Sequence, residues 1–327
     1  MKNNKSIIVT FILIQVIIGL FSCTKNLTEI NDPPIEPPGN AVSYPFIDRN
    51  PVWSPDGKII LYHHAGIIEI KDGGSYTVDS DSMGLWIINP DGTNPRLQIQ
   101  GGYSAAWSPD GTWIAFEKGT HIYKAPFKNG RFDIEQTEQL TFEGRNYSPS
   151  ISPDGEWIAY DSNYKSPNGM NFIWKMKSNG NQKERIAYDI SNGEIRAPSW
   201  SQMGNKIVHI RYLIEAPGAE IFTMNSNGLD PTRITYNDYY DRFPEFSYDG
   251  RKIVFESDGN VLTMNSDGTN LKQLTVNVGL YPSWSPNGQK IAYVGSTTND
   301  FIPPSNGTIY IMNADGSNKQ QLTYGPK

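Results

Sequence analysis

Trp107-Ser-Pro-Asp-Gly111 is one of six copies of a single phrase, an apolar or aromatic residue followed by a four-residue turn that ends in glycine. The others read Trp53-Ser-Pro-Asp-Gly57, Ile151-Ser-Pro-Asp-Gly155, Trp200-Ser-Gln-Met-Gly204, Phe246-Ser-Tyr-Asp-Gly250 and Trp284-Ser-Pro-Asn-Gly288. Successive turn glycines lie 54, 44, 49, 46 and 38 residues apart. A fixed phrase at such a period signals a repeat architecture, and about 40–45 residues with four short strands is the period of a propeller blade. Each phrase is followed by an apolar strand, such as Lys58–Tyr62, Trp157–Tyr160 or Lys252–Phe255. A second strand then carries its own hairpin, as in Val261-Leu-Thr-Met-Asn-Ser-Asp-Gly268 and Ile309-Tyr-Ile-Met-Asn-Ala-Asp-Gly316, with degenerate versions at 122–130 and 173–180. Gln-Leu-Thr, beginning at Gln139, Gln273 and Gln321, closes the unit. Proline presets the second position of a type I turn, and Asn/Asp-Gly supplies the positive φ that hairpins need. The expected fold is all-β: a six-bladed β-propeller of four-stranded antiparallel blades over residues 41–327.

What precedes residue 41 reads differently. Lys2 and Lys5 stand before an apolar run from Ile7 to Phe21, too short for a comfortable membrane span and organised like a secretory leader. It ends at Cys23, the only cysteine of the chain, and resembles a bacterial lipoprotein signal over residues 1–23, which implies that Cys23 becomes the acylated N-terminus. A lone thiol excludes an internal disulfide. Residues 24–40 contain Asp32-Pro-Pro-Ile-Glu-Pro-Pro-Gly39 and read as a semi-rigid, proline-rich tether. Ala41–Ile47 is a candidate for pairing with blade six. With 12% aromatic residues, 30 Gly and 23 Pro, the composition suits many strands and tight turns. A net charge of −6 with no basic run after the leader gives no footprint for nucleic acid.

The Trp-Ser-Pro-Asp-Gly and Met-Asn-x-Asp-Gly phrases in combination resemble the six-bladed propeller of the TolB family, from about Ala41 to Lys327. TolB itself carries an α/β domain ahead of its propeller, where this chain has room only for a tether. The resemblance implies a TolB-type propeller without TolB's second module.

Strand direction sorts the connections. The six turn phrases and the Asn-x-Asp-Gly hairpins belong to one face and are nearly uniform. The connections between second and third strands belong to the other and vary from Ser257–Asn260 in blade five to Ala65–Gly84 in blade one and Gly295–Gly307 in blade six. Long connections in a compact domain are commonly functional, so the variable face is expected to bind and the uniform one to serve as scaffold.

Four residues before each phrase stand Arg49, Tyr103, Tyr147, Arg196, Arg242 and Leu280, where the innermost strand begins at the channel mouth. Asp241 precedes Arg242, as Asp48 precedes Arg49. Six residues after each turn glycine come His63, Glu117, Asp161, Ile210, Glu256 and Val294. Two readings stay open: carboxylates and guanidiniums neutralising one another around a wet channel, or arginines receiving an anionic group bidentately beside Tyr103, Tyr147 and Tyr281. The tryptophans of the phrases are expected to pack between blades.

Catalytic parts are not recognisable. His63 and His209 occupy adjacent columns that face opposite ways along a strand, so they do not converge on a metal. Asp79–Gly84 begins like a calcium loop, but Met83 and Pro90 stand where oxygen ligands belong. Neither a Gly-x-Ser-x-Gly elbow nor a phosphate-binding loop occurs. The expectation is a non-enzymatic, lipid-anchored envelope propeller with no cofactor, binding a protein or peptide on its variable face; the alternative is an acidic glycan, bound or cleaved at the mouth.

Overall fold

The computed structural model describes residues 48–70, 76–187, 193–213, 218–276, 278–295 and 307–323, with the side chains of 67–70 and 76 outside the description. The leader with Cys23, the tether and Ala41–Ile47 lie outside the described residues, as does most of the blade-six connection.

Six antiparallel sheets follow one another along the chain. Blade one comprises Asp48–Trp53, Ile60–His64, Gly84–Ile88 and Arg96–Gln100; blade two, Gly102–Trp107, Trp113–Lys118, His121–Lys128 and Arg131–Phe132, with Glu138–Gln139 added beside its third strand. Blade three is built from Asn146–Ile151, Trp157–Ser162, Phe172–Lys177 and Glu184–Arg185, and blade four from Ile195–Trp200, Lys206–Tyr212, Ala219–Asn225 and Thr232–Arg233. Asp241–Phe246, Lys252–Ser257, Asn260–Asn265 and Lys272–Gln273 form blade five; Leu280–Trp284, Lys290–Gly295, Thr308–Asn313 and Gln320–Gln321 form blade six. Among the described residues no helix is long and apolar enough to cross a membrane.

The turn phrase works through its side chains. Ser54 Oγ donates to Asp56 Oδ1 (2.7 Å) and accepts from the Ile59 N–H (3.0 Å), while Asp56 Oδ1 accepts from the Lys58 N–H (3.1 Å). Gly57 adopts φ +70°, a conformation costly for residues with a Cβ. Ser108 with Asp110, Ser152 with Asp154 and Ser247 with Asp249 repeat the arrangement. The closing phrase has a similar economy. The hydroxyls of Thr141, Thr235, Thr275 and Thr323 accept from the N–H of Ile122, Ile221, Val261 and Ile309 at 2.8–2.9 Å, pinning the outer strand to the third.

Packing runs between blades, as the tryptophan spacing predicts. Trp107 sits with Leu61, Ile87 and Ile99 of blade one, Trp200 with Ala159, Ile173 and Ile186 of blade three, and Trp284 with Val254, Val261 and Leu274 of blade five. Trp53 closes the circle against Ala292, Val294 and Ile309 of blade six. At that seam the Thr323 hydroxyl donates to Asp48 Oδ2 (2.6 Å) and the Asp48 N–H to the Gly307 carbonyl (3.1 Å).

Register places the connections. Asp48 faces His64, His64 faces Gly84 and Gly84 faces Gln100, so the start of the first strand and the end of the second share one end of the blade. All second-to-third connections therefore emerge at that end. They range from residues 119–120 in blade two and 258–259 in blade five to 163–171 in blade three, with a small hairpin, Ile67–Ile70 with Tyr76–Val78, in blade one.

Candidate functional site

The first strands of all six blades line a central cavity of about 510 Å³. Their sequence has a feature beyond the arginine and tyrosine column. In five of the six, the third residue has a left-handed backbone: Asn50 (φ 50°), Ser148 (51°), Ala197 (52°), Phe243 (49°) and, by alignment, Tyr281 (51°). Each is followed by proline, at positions 51, 149, 198, 244 and 282, and each lies where the pairing register shifts. Proline inside a strand is tolerated where it gives up no ladder hydrogen bond, and the bulge provides that place. Blade two, with Ser104-Ala105, lacks both the proline and the left-handed residue.

The bulge explains the polar column. Within each blade the two columns are register partners: Arg49 faces His63, Tyr103 Glu117, Tyr147 Asp161, Arg196 Ile210, Arg242 Glu256 and Leu280 Val294. The carboxylates also reach forward into the next blade. Glu117 Oε1 accepts from the Ser148 N–H (2.5 Å), Asp161 Oδ1 from the Ala197 N–H (3.4 Å) and Glu256 Oε2 from the Tyr281 N–H (3.5 Å). A buried carboxylate thus satisfies an amide that the bulge removes from its own ladder. Glu245, lining the channel further along its strand, accepts from the Trp284 N–H (3.1 Å), which lies beyond the bulge. Burial pushes these acids up: Glu117 to about 8, Glu256 and Glu245 to about 7 and Asp161 to about 6, the last restrained by the nearby Arg196.

The arginines part into two groups. On blade four, Arg196 donates to Glu194 (2.8 Å) and lies over the Tyr212 ring at 6.0 Å. On the other side, Arg49 Nη1 donates to the Tyr103 hydroxyl (3.3 Å), and the His63 ring meets Tyr103 edge-on at 4.3 Å. Tyr281 stands against Phe243 with ring centroids 4.4 Å apart and feels the charges of Arg49, Glu256 and Arg242 as well as Tyr103. Its phenol is pushed up to about 12, chiefly by burial. Arg242 lies over Tyr240 at 5.1 Å. Blades five, six, one and two therefore bring together Arg49, His63, Tyr103, Arg242, Glu256 and Tyr281. Tyr147 belongs to the blade-three side, half-buried, opposite Asp161.

Asp241 faces the blade joint. It is fully buried and accepts from Asn237 Nδ2 (3.0 Å); burial raises its pKa against hydrogen bonds from Ser257 and Thr235. Its counterpart Asp48 holds His64 Nδ1 at 2.7 Å. Burial pushes His63 down to about 3, helped by Arg49, and His209 to about 4, stacked on Phe222. Among the described residues no three His, Cys, Asp or Glu side chains gather as a metal would require. Tyr236, Tyr239 and Tyr240 add an exposed aromatic rim to the mouth between blades four and five. The recurring strand proline was the readable signal for the bulges; the rim tyrosines follow no repeat.

The model of the TolB beta propeller domain matches residues 40–204 and 192–327. An uncharacterised protein of Agrobacterium fabrum is 27% identical, the alignment covering 76% of this chain and 85% of the relative. Among solved structures, a putative TolB from Agrobacterium tumefaciens superposes with a TM-score of 0.63 at 22% identity, over 73% of this chain and 87% of its own. TolB from Acinetobacter baumannii gives 0.59 at 25% identity, over 72% and 58%.

Proposed function

We propose that this chain, which belongs to the TolB β-propeller family, is a non-enzymatic, lipid-anchored propeller of the bacterial envelope that receives a protein or peptide across its variable face. The observation that carries the reading is the gathering of Arg49, Tyr103, Arg242 and Tyr281 at the end of the ring from which the irregular connections emerge. Arginine and tyrosine are the residue types on which binding energy concentrates at interfaces, because each combines a large flat surface with directed donors. The two solved relatives bearing the TolB name share the ring, and their name supports the envelope setting.

Anchoring rests on Cys23 and the run before it. Two or three acyl chains, each CH₂ contributing about 0.8 kcal/mol when buried, hold a protein firmly where one chain does not. Labelled palmitate should enter the wild-type chain and not Cys23→Ser.

The face assignment is tested by placing a photo-crosslinking residue at Tyr239, on the mouth rim, or at Tyr248, exposed on the turn face. An envelope protein should be captured from the first position and not from the second. Equal capture from both, or capture from Tyr248 alone, would sink the reading.

A further inference from the structure

We propose that the turn half of the central channel is a second site, holding a small organic ammonium ion on Glu245 within a wall of aromatic and proline rings. It lies away from the peptide face and stands independently of that reading.

Three observations carry it. The first is place. The cavity of about 510 Å³ is lined from the bulge residues, such as Asn50 and Phe243, to the third residue of each turn phrase, from Pro55 round to Pro286. None of Arg49, Tyr103, Tyr147, Arg196, Arg242 and Leu280 lines it. The cavity therefore belongs to the turn half of the ring, and its volume suits a small ligand.

The second is charge. Among the described residues that line the cavity, Glu245 alone is charged. Its side chain is half-buried, and the groups bonded to its carboxyl are the Trp284 N–H and the Ser283 hydroxyl. Arg49 and Arg242 act on Tyr281, at the mouth limit of the cavity, and neither acts on Glu245.

The third is that the fold does not require this charge. One residue ahead of each turn phrase stand Val52, Ala106, Ser150, Ser199, Glu245 and Ser283. Ser150 Oγ accepts from the Trp200 N–H of the next blade (3.2 Å), as Glu245 Oε1 accepts from the Trp284 N–H (3.1 Å). A neutral hydroxyl serves that joint. The carboxylate of blade five thus carries a charge that the ring can do without.

The lining selects the class of ligand. An anion meets no basic side chain there, and a hard divalent cation wants several charged oxygens where one carboxylate stands. The walls are the tryptophans of four turn phrases, Phe243, Phe246, Tyr281 and a ring of prolines, with Phe243 and Tyr281 centroids 4.4 Å apart. Alkylammonium groups favour such surroundings, because their carbons are covered by rings while the charge is drawn to aromatic faces and to the acid.

Burial pushes the Glu245 acid up to about 7. Val254 faces it from the second strand, Ser283 and Trp284 from blade six, and Ser199 and Trp200 line the cavity from blade four. The other titratable groups in the lining are the phenols of Tyr248 and Tyr281, and a phenol does not ionise between pH 6 and 8. A cation binds the ionised acid and displaces its proton, so affinity rises from pH 6 to pH 8.

The test is calorimetric titration of the full chain in detergent solution with choline, with its uncharged analogue carrying carbon in place of nitrogen, and with glucose. Choline should bind, more tightly at pH 8 than at pH 6, and the analogue should bind about tenfold or more weakly. Glu245→Gln keeps an oxygen for the Trp284 amide and should lower choline affinity about tenfold or more, abolishing the pH dependence. Glu245→Asp should retain that dependence, and Phe243→Leu should weaken binding about two- to fivefold. Silence of choline, equal binding of the analogue, or indifference to Glu245→Gln would overturn the site. Glucose binding with choline silent would reassign the cavity to neutral sugars. Should Glu245→Gln lower the melting temperature, the comparison of choline with its analogue on the wild-type chain still decides.

Discussion

At the turn end of the ring, side chains serve the loop they belong to: Ser54, Asp56 and Gly57 hold one another, and blades two, three and five repeat the arrangement. At the mouth, side chains serve their neighbours. Glu117, Asp161 and Glu256 each cap an amide of the following blade, while arginines and tyrosines lie across one another. Both ends belong to the same strands, so the difference is one of assignment. A self-contained turn can be copied six times without regard to what stands beside it. A group that reaches into the next blade depends on that blade, and among the described residues the cap recurs at three of the six joints. The contrast separates groups that specify the fold from groups whose contacts differ from blade to blade, with the capping acids between the two.

The sharpest way to break the contrast is to remove a tryptophan of the turn phrase and an arginine of the mouth in parallel. Trp107 is buried between blades one and two, so Trp107→Ala should cost about 3–5 kcal/mol in denaturant unfolding. Arg242→Gln should stay within about 0.5 kcal/mol of wild type. A Trp107→Ala protein melting with the wild type would refute the division between the two ends.

A smaller effect tests the capping acids. Glu117, Glu256 and Asp161 hold their protons more tightly folded than the ordinary values of 4.5 and 3.8 would allow. Their contribution is complete below those values and drains away as pH rises through 6 to 8. His63 and His209, pushed down by burial, act oppositely and cost stability below about 6.5. The melting temperature should therefore be higher at pH 6.5 than at 8.5, and Glu117→Gln should flatten the slope. A rise in stability toward pH 8.5 would show that the caps work as permanent anions.

The smallest effect concerns the bulge. Ala197 holds φ 52° without the freedom of glycine. Ala197→Gly should therefore gain up to about 1 kcal/mol, relief of strain exceeding the added entropy of the unfolded chain. A loss of more than about 1 kcal/mol would show that the Ala197 methyl group contributes packing at the bulge.

The number of blades, their boundaries and their two faces are legible in the phrases because each phrase is a local device: the serine, aspartate and glycine that form a turn lie within five residues. Arg49 and Tyr103 are legible as mouth residues for the same reason, each at a constant offset from its turn. The purpose of Glu117 is not, since its partner, the Ser148 amide, is on another blade and carries no side-chain signature. Nor does the alignment show that Tyr281 occupies the left-handed position instead of the arginine column. Proline 282 marks it, but only to a reader who already knows that the strand bulges there.

The seam between the first and last blades has a directional consequence. Asp48 enters the ring at the mouth end, and Thr323 meets it there. A leash running from an acylated Cys23 would thus be fastened to the rim from which the irregular connections emerge. Residues 24–47 span at most about 80 Å when drawn out. The opening would then look back toward its own bilayer, and whatever enters it must arrive through the gap between ring and lipid or pull the ring over sideways.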